Sequence, residues 1–220
     1  IFYVQKMFNF LKFSLLSCCF YFFLITNSFS HPHMWIDLIT KVKLDDNGLV
    51  TAIKQKWVFG EFFSASLIDD IIKNKNGINI GLKEEISKIL VNLEEYDYFT
   101  IINVNSEKSN IGKVKKFNTG IEDTRIWIEF DVTLIKPVDI KLNTLTYSIF
   151  DPTYYIEMLH LEDAKINFIG NKSNNCSANI ILPNPTEEAI ILSKSASLDM
   201  TPDKSIGKLF AEVISISCQK

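Results

Sequence analysis

Three histidines, His31, His33 and His160, are the side chains of this sequence best suited to metal or proton chemistry. Two of them stand in the run His31-Pro32-His33-Met34-Trp35-Ile36-Asp37. Alternate side chains of an extended backbone point to opposite sides. His31, His33, Trp35 and Asp37 would then share one side, and Met34 and Ile36 the other. Two imidazoles and a carboxylate on one side begin a site for a transition metal such as zinc, nickel, cobalt or copper. Cleavage of the chain after Ser30 would add the α-amine of His31, whose pKa of roughly 7.7–8.0 leaves it partly neutral at pH 7. Amine and imidazole of one histidine together make the chelate of a histidine-brace copper centre. Pro32 counts against the square-planar amino-terminal copper and nickel motif, which needs a deprotonatable amide at position two. The competing reading is a strand opening on two solvated imidazoles.

The other candidates are weaker. His160 is either a third ligand or a packed or surface histidine. Asp151-Pro152-Thr153 reads as a turn in which the aspartate side chain bonds nearby backbone amides. Glu61, Asp69 and Asp70 read as solvated helix faces. No carboxylate pair has a spacing that demands acid–base chemistry.

What delivers the histidines to their place is the segment before them. Residues 1–30 contain Lys6 and Lys12 and no acid, and Phe13–Thr26 is an uninterrupted apolar run. Fourteen helical residues rise roughly 21 Å, short of the ~30 Å hydrocarbon core. A basic start, a short apolar core and Ser28-Phe29-Ser30 make a secretory signal cleaved after Ser30, with Met7 a candidate start. A retained anchor, or lipoprotein cleavage at Leu15-Leu16-Ser17-Cys18, are the alternatives. Losing Lys6 and Lys12 would take the net charge from −3 to −5. Of the four cysteines, Cys176 and Cys218 would remain. An even pair in an exported chain reads as a disulfide, worth roughly 3–4 kcal/mol for a loop of this length, with two separate buried thiols as the alternative.

The remaining elements are mostly strands. Met34–Leu44 and Leu49–Phe59 flank Asp45-Asp46-Asn47-Gly48, a hairpin signal. Between about 61 and 95 the apolar spacing turns helical and is interrupted at 74–77, which predicts two helices. Tyr98–Asn103, Gly112–Phe117, Leu142–Phe150, Tyr154–His160, Ala164–Phe168, Cys176–Leu182 and Lys208–Cys218 read as further strands. Ile126, Ile128, Phe130, Val132 and Leu134 alternate with polar residues, as on a strand buried on one face. Asn184-Pro185-Thr186-Glu187-Glu188 reads as a helix start with proline first. The expected fold is a single α+β domain over 31–220, mainly antiparallel and sandwich-like, with a two-helix insertion at about 61–95.

Several function classes are excluded. With 47% apolar and 22% charged residues the chain is neither disordered nor fibrous. A net charge of −3 and a single arginine, Arg125, give nucleic acid no basic face. Phosphate-loop and dinucleotide fingerprints, a Gly-x-Ser-x-Gly elbow and a redox CxxC in the exported part are absent. No βαβ alternation exists to build the two lobes of a solute-binding protein.

The signal followed at once by His-Pro-His-Met-Trp-Ile-Asp resembles a bacterial family of unknown function, known as the periplasmic component of an uncharacterised ABC-type transport system. Trp57 and Phe59, Tyr98-Phe99, Asp151-Pro152-Thr153-Tyr154-Tyr155 and Gly207-Lys208-Leu209-Phe210-Ala211 also match, as does Cys218 with Cys176 as its apparent partner. The resemblance spans nearly all of residues 31–218. It implies transition-metal handling beside an inner-membrane transporter of the nickel/cobalt type, and no catalytic residues. The resulting expectation is a periplasmic metal-binding or metal-delivery accessory with His31 and His33 as ligands and Asp37 as ligand or outer partner. A docking module without metal, and an N-terminal-histidine copper oxidoreductase, are the alternatives.

Overall fold

Asn47 and Gly48 turn the chain back on itself. Gly48 takes a φ of 85°, a left-handed conformation that glycine adopts without steric penalty. The Asp45 carboxylate accepts the N–H groups of Asn47 and Leu49 at 2.9 and 2.8 Å. The flanking strands β1 (Met34–Leu44) and β2 (Val50–Phe59) then pair antiparallel, from Ile36 opposite Phe59 to Leu44 opposite Val50. The computed structural model describes residues 32–74, 77–170, 176–195 and 206–218, all within one compact unit of His31–Lys220. Residues 1–30, read above as a secretory signal, and His31 lie outside the described residues.

Ile36, Leu38, Val42 and Leu44 of β1 face inward, and so do Ile126, Ile128, Phe130, Val132 and Leu134 of β6 (Arg125–Val138), as the alternation predicts. The first sheet runs β5 (Phe117–Glu122), β6, β2, β1 and β8 (Ile156–His160), with β9 (Asn167–Ile169) also along β1. The second contains β3 (Thr100–Val104), β4 (Glu107–Lys108), β7 (Leu145–Ile149), β10 (Cys176–Ile181) and β11 (Val213–Cys218). Its order is β10-β11-β7-β3-β4. All pairings between these strands are antiparallel except those of β1 with β8 and β9. Trp57, Phe130, Ile102, Tyr147 and Ile214 belong to the core that both sheets share. Each such buried side chain contributes about 1.5–3 kcal/mol.

Helices α1 (Glu61–Asn74) and α2 (Ile78–Leu93) form the expected insertion. Their buried Ile71, Leu82, Ile86 and Leu90 join the core. Buried Ser64 accepts the Ile126 N–H at 3.0 Å, tying α1 to β6. A third helix, α3, spans Glu187–Ser195. Outside, the first sheet carries the ion pairs Lys43–Asp131, Lys54–Glu129 and Lys56–Glu122 at 2.6–2.8 Å. Each is worth about 0–1 kcal/mol in solvent, and together they keep this face polar.

The structure corrects several boundaries. Tyr98 and Phe99 are not strand: a helical turn over Glu94–Phe99 ends with Asp97, Tyr98 and Phe99 at φ 51°, 52° and 55°. Three consecutive left-handed residues cost roughly 1–2 kcal/mol each. Tertiary contacts offset this: Tyr98 is buried, its hydroxyl accepts the Val114 N–H, and Phe99 O accepts the Phe150 N–H. Gly112–Phe117 yields to a strand that begins at Phe117. Phe210 belongs to a 3-10 turn, Gly207–Phe210, rather than to the last strand. Helix α3 starts after Thr186, whose hydroxyl accepts the Ala189 N–H, so Pro185 precedes the cap.

Candidate functional site: the amino-terminal end of β1

Asp151 organises this end of the molecule. Its buried carboxylate accepts the N–H and O–H of Thr153 at 2.9 Å and the N–H of Ile156 at 3.0 Å, as the turn reading predicted. The Gly207 N–H donates to Pro152 O at 3.1 Å. A Cβ on Gly207 would stand 1.9 Å from the Asp151 carbonyl oxygen, so the approach requires glycine. Tyr154, left-handed at φ 57°, stacks on Phe210 with ring centroids 4.0 Å apart. Burial, with the charge of Glu157 beside it, pushes the Tyr154 phenol above its usual range.

This braced turn seats His33. The Tyr155 carbonyl accepts the N–H of His33 at 2.9 Å and of Met34 at 3.3 Å. The His33 and Tyr155 rings stack at 4.7 Å and 26°. On the other flank the Gly60 N–H donates to Trp35 O at 2.8 Å, bringing the first turn of α1 alongside. Between them lies an open cavity of about 380 Å³ whose lining includes His33, Trp35, Glu61, Phe62, Phe63 and Tyr155. Phe62 is 88% exposed and Trp35 46%, an apolar rim of the kind that marks binding surfaces. Glu61 is solvated, as expected, yet it shares this lining with His33.

Asp37 lies four residues beyond His33, on the same strand end. Four strand residues separate their Cα atoms by about 13 Å. Arg125 engages the Asp37 carboxylate through Nη1 at 2.6 Å. The same guanidinium donates to Phe59 O at 2.7 Å and Val58 O at 2.9 Å, clamping β6 to the end of β2. Among the described residues no group of three or more His, Cys, Asp or Glu side chains is placed to hold a metal ion.

His160 lies elsewhere, sealed between the sheets with Glu212, which the sequence reading missed. Their side chains are 1% and 5% exposed, with Nδ1 of His160 2.7 Å from Oε2 of Glu212. The His160 backbone N–H donates to the same oxygen at 2.9 Å. Nε2 lies 2.9 Å from Thr40 Oγ1, which lies 2.6 Å from the Tyr147 hydroxyl. With Nδ1–H donating to the carboxylate, Nε2 accepts from Thr40 and Thr40 from Tyr147, so each proton is used once. Hydroxyl, imidazole and carboxylate stand in the order of a nucleophile triad. Buried Thr40, however, has no approach for a substrate, and the chain of bonds serves to join β1 and β8 to the second sheet. Burial pushes the Tyr147 phenol above its usual range. The available signal for this network was one acid, Glu212, inside the apolar run Phe210–Ile214.

Cys176 and Cys218 form a disulfide between opposed residues of β10 and β11. The bridge is compatible with an exported protein. No helix among the described residues is long and apolar enough to cross a membrane.

Comparison with known proteins adds a family and no activity. The chain is 27% identical over 195 residues to a protein of Haemophilus influenzae named only "Uncharacterized protein", covering 86% of this chain and 92% of that one. No solved structure matches it. The family described as "Protein of unknown function (DUF1007)" matches residues 16–218, nearly the whole chain, and the protein belongs to that family.

Proposed function

We propose that this protein is an exported, periplasmic accessory of a transport system that binds or delivers a transition metal at the amino-terminal end of β1. The observation that carries the reading is the bracing of His33. Its backbone is tied to Tyr155 and its ring stacked there, on the rim of a cavity that also holds Glu61. A ligand held in advance loses less entropy when it binds. His33 and Glu61 supply two donors, and His31 two more if the signal is cleaved after Ser30. Nitrogen-rich sets of this kind suit nickel, cobalt, zinc or copper. Asp37, engaged by Arg125, contributes to the fold of the strand end rather than to the ion. The metal would be cargo, and an inner-membrane transporter its recipient or donor.

A second reading, a docking module for that transporter, is favoured by the exposed Trp35 and Phe62. Calorimetric titration of the mature protein with nickel and zinc separates the two. Under the metal reading, His33→Ala lowers affinity by more than the roughly 10–100-fold that loss of an outer partner costs, and Asp37→Asn changes it little. Equal affinity of His33→Ala and the unmodified protein would leave the docking reading.

A further inference from the structure

The cavity at the amino-terminal end of β1 is larger and more apolar than a metal ion alone needs. It measures about 380 Å³. An ion with six waters around it takes up roughly 180 Å³, at ~30 Å³ for each water. Trp35, Phe62, Phe63 and Tyr155 give the cavity aromatic walls, while His33, Glu61 and Ser66 are its polar side chains. Aromatic surface has little to offer the water shell of a bare ion, whose hydrogen bonds it leaves unmade. Mostly apolar walls with a few placed polar groups, in a volume of this order, are what small organic ligands occupy.

Two of the walls are held in advance. Phe63 packs on Phe59 of β2 with ring centroids 4.9 Å apart, and the Tyr155 ring stacks on His33 at 4.7 Å. Trp35 and Phe62 stand exposed beside them, where a flat guest would cover them. The donors are few. Among the described residues no third His, Cys, Asp or Glu side chain joins His33 and Glu61 in a group placed to hold a metal. In the mature chain of the proposed function only His31 precedes Pro32, and its amine and imidazole are already counted as donors. Positions on the ion are therefore left for a ligand that arrives with it. Glu61 lines the cavity and no lysine or arginine does, so the local charge disfavours a negative guest.

We propose that the cargo of this site is a transition-metal ion already held by a small organic chelator, neutral or positively charged as a complex, that carries a flat conjugated ring. The ring lies against the aromatic walls, His33 and Glu61 take open positions on the ion, and the chelator keeps the others. The inference rests on the metal reading of this site and names the form in which the ion arrives.

The test is calorimetric titration of the disulfide-bonded mature protein with nickel in three forms: the bare ion, its one-to-one complex with bipyridine and its one-to-one complex with ethylenediamine. Both chelators give the ion a pair of nitrogen donors and leave its charge unchanged; only bipyridine adds a flat aromatic body. The bipyridine complex is expected to bind about tenfold more tightly than the ethylenediamine complex, the factor that roughly 60 Å² of apolar contact supplies. Phe62→Ala, at an exposed position, is expected to shrink that difference. Should that variant fail to fold, the two complexes on the unmodified protein still decide. Uptake of the bare ion with equal affinity for the two complexes overturns the chelate proposal and leaves the metal reading standing. Bipyridine that binds as tightly without nickel as with it, or a difference that Phe62→Ala leaves unchanged, overturns the proposal as well. No binding of nickel in any form overturns the metal reading, and this inference with it.

Discussion

Replacing His160 by leucine tests whether the buried chain Tyr147–Thr40–His160–Glu212 joins the two sheets. The substitution keeps an apolar body of similar width and deletes both ring nitrogens. Thr40 then lacks its acceptor, and the Glu212 carboxylate, 5% exposed, loses its imidazole partner at 2.7 Å. Breaking a buried pair from one side costs about 3–5 kcal/mol. Against a total stability of about 5–15 kcal/mol this is a large loss. At a urea slope of about 2 kcal/mol/M the midpoint falls by roughly 1.5–2.5 M. Tyr147→Phe removes one neutral hydrogen bond from the far end, worth about 0.5–1.5 kcal/mol, and shifts the midpoint by less than about 1 M. The double variant His160→Leu/Glu212→Leu removes imidazole and carboxylate together and recovers much of the loss, since apolar replacement of a buried pair is often neutral. Urea unfolding followed by tryptophan fluorescence reads all three. A His160→Leu midpoint no lower than that of Tyr147→Phe would refute the reasoning, as would a double variant that loses the sum of its two single changes.

Three further outcomes follow from the same geometry. Reducing the disulfide, or changing Cys176 and Cys218 to alanine, lowers stability by about 2–5 kcal/mol, read from thermal unfolding with and without reductant. Gly207→Ala forces the 3-10 turn off the Asp151 carbonyl and loosens the seat of His33; a lower melting temperature and a shifted His33 imidazole resonance report it. For Tyr147 and Tyr154 the folded state favours the neutral phenol, so their contribution is full below the unfolded value of about 10 and is lost as pH rises above it. Absorbance at 295 nm should therefore show these two phenols ionising only with alkaline unfolding, and Tyr147→Phe should flatten the alkaline loss of stability.

Local chemistry made much of the fold legible. Asn47-Gly48, the helical spacing after Glu61, the alternation through β6 and the Asp151 turn each carry their cause within a few residues, and each is found as expected. What escaped the sequence is what distance decides. Asp97–Phe99 adopt a left-handed turn against local preference because Val114 and Phe150, far along the chain, hold them there. Arg125 reaches Asp37 across 88 positions and Glu212 reaches His160 across 52, and neither partner has a spacing that periodicity could detect. The parallel pairing of β1 with β8 and β9 depends likewise on register, which no motif encodes. For the site, the histidine run was visible. Its seat on Tyr155 and the pairing of Asp37 with Arg125 were not, because both depend on how three strand ends meet.

The proposed function stands on uptake of a metal ion at the amino-terminal end of β1. A native mass spectrum of the chain exported to a bacterial periplasm, titrated with nickel, copper, zinc and cobalt, decides between uptake and none. The predicted result is a chain beginning at His31, two hydrogens lighter for the disulfide, that binds one ion and releases it when a residue is added before His31 or when His33 becomes alanine. A correctly processed chain that takes up no ion at micromolar metal, or that binds equally well after both changes, would contradict the account.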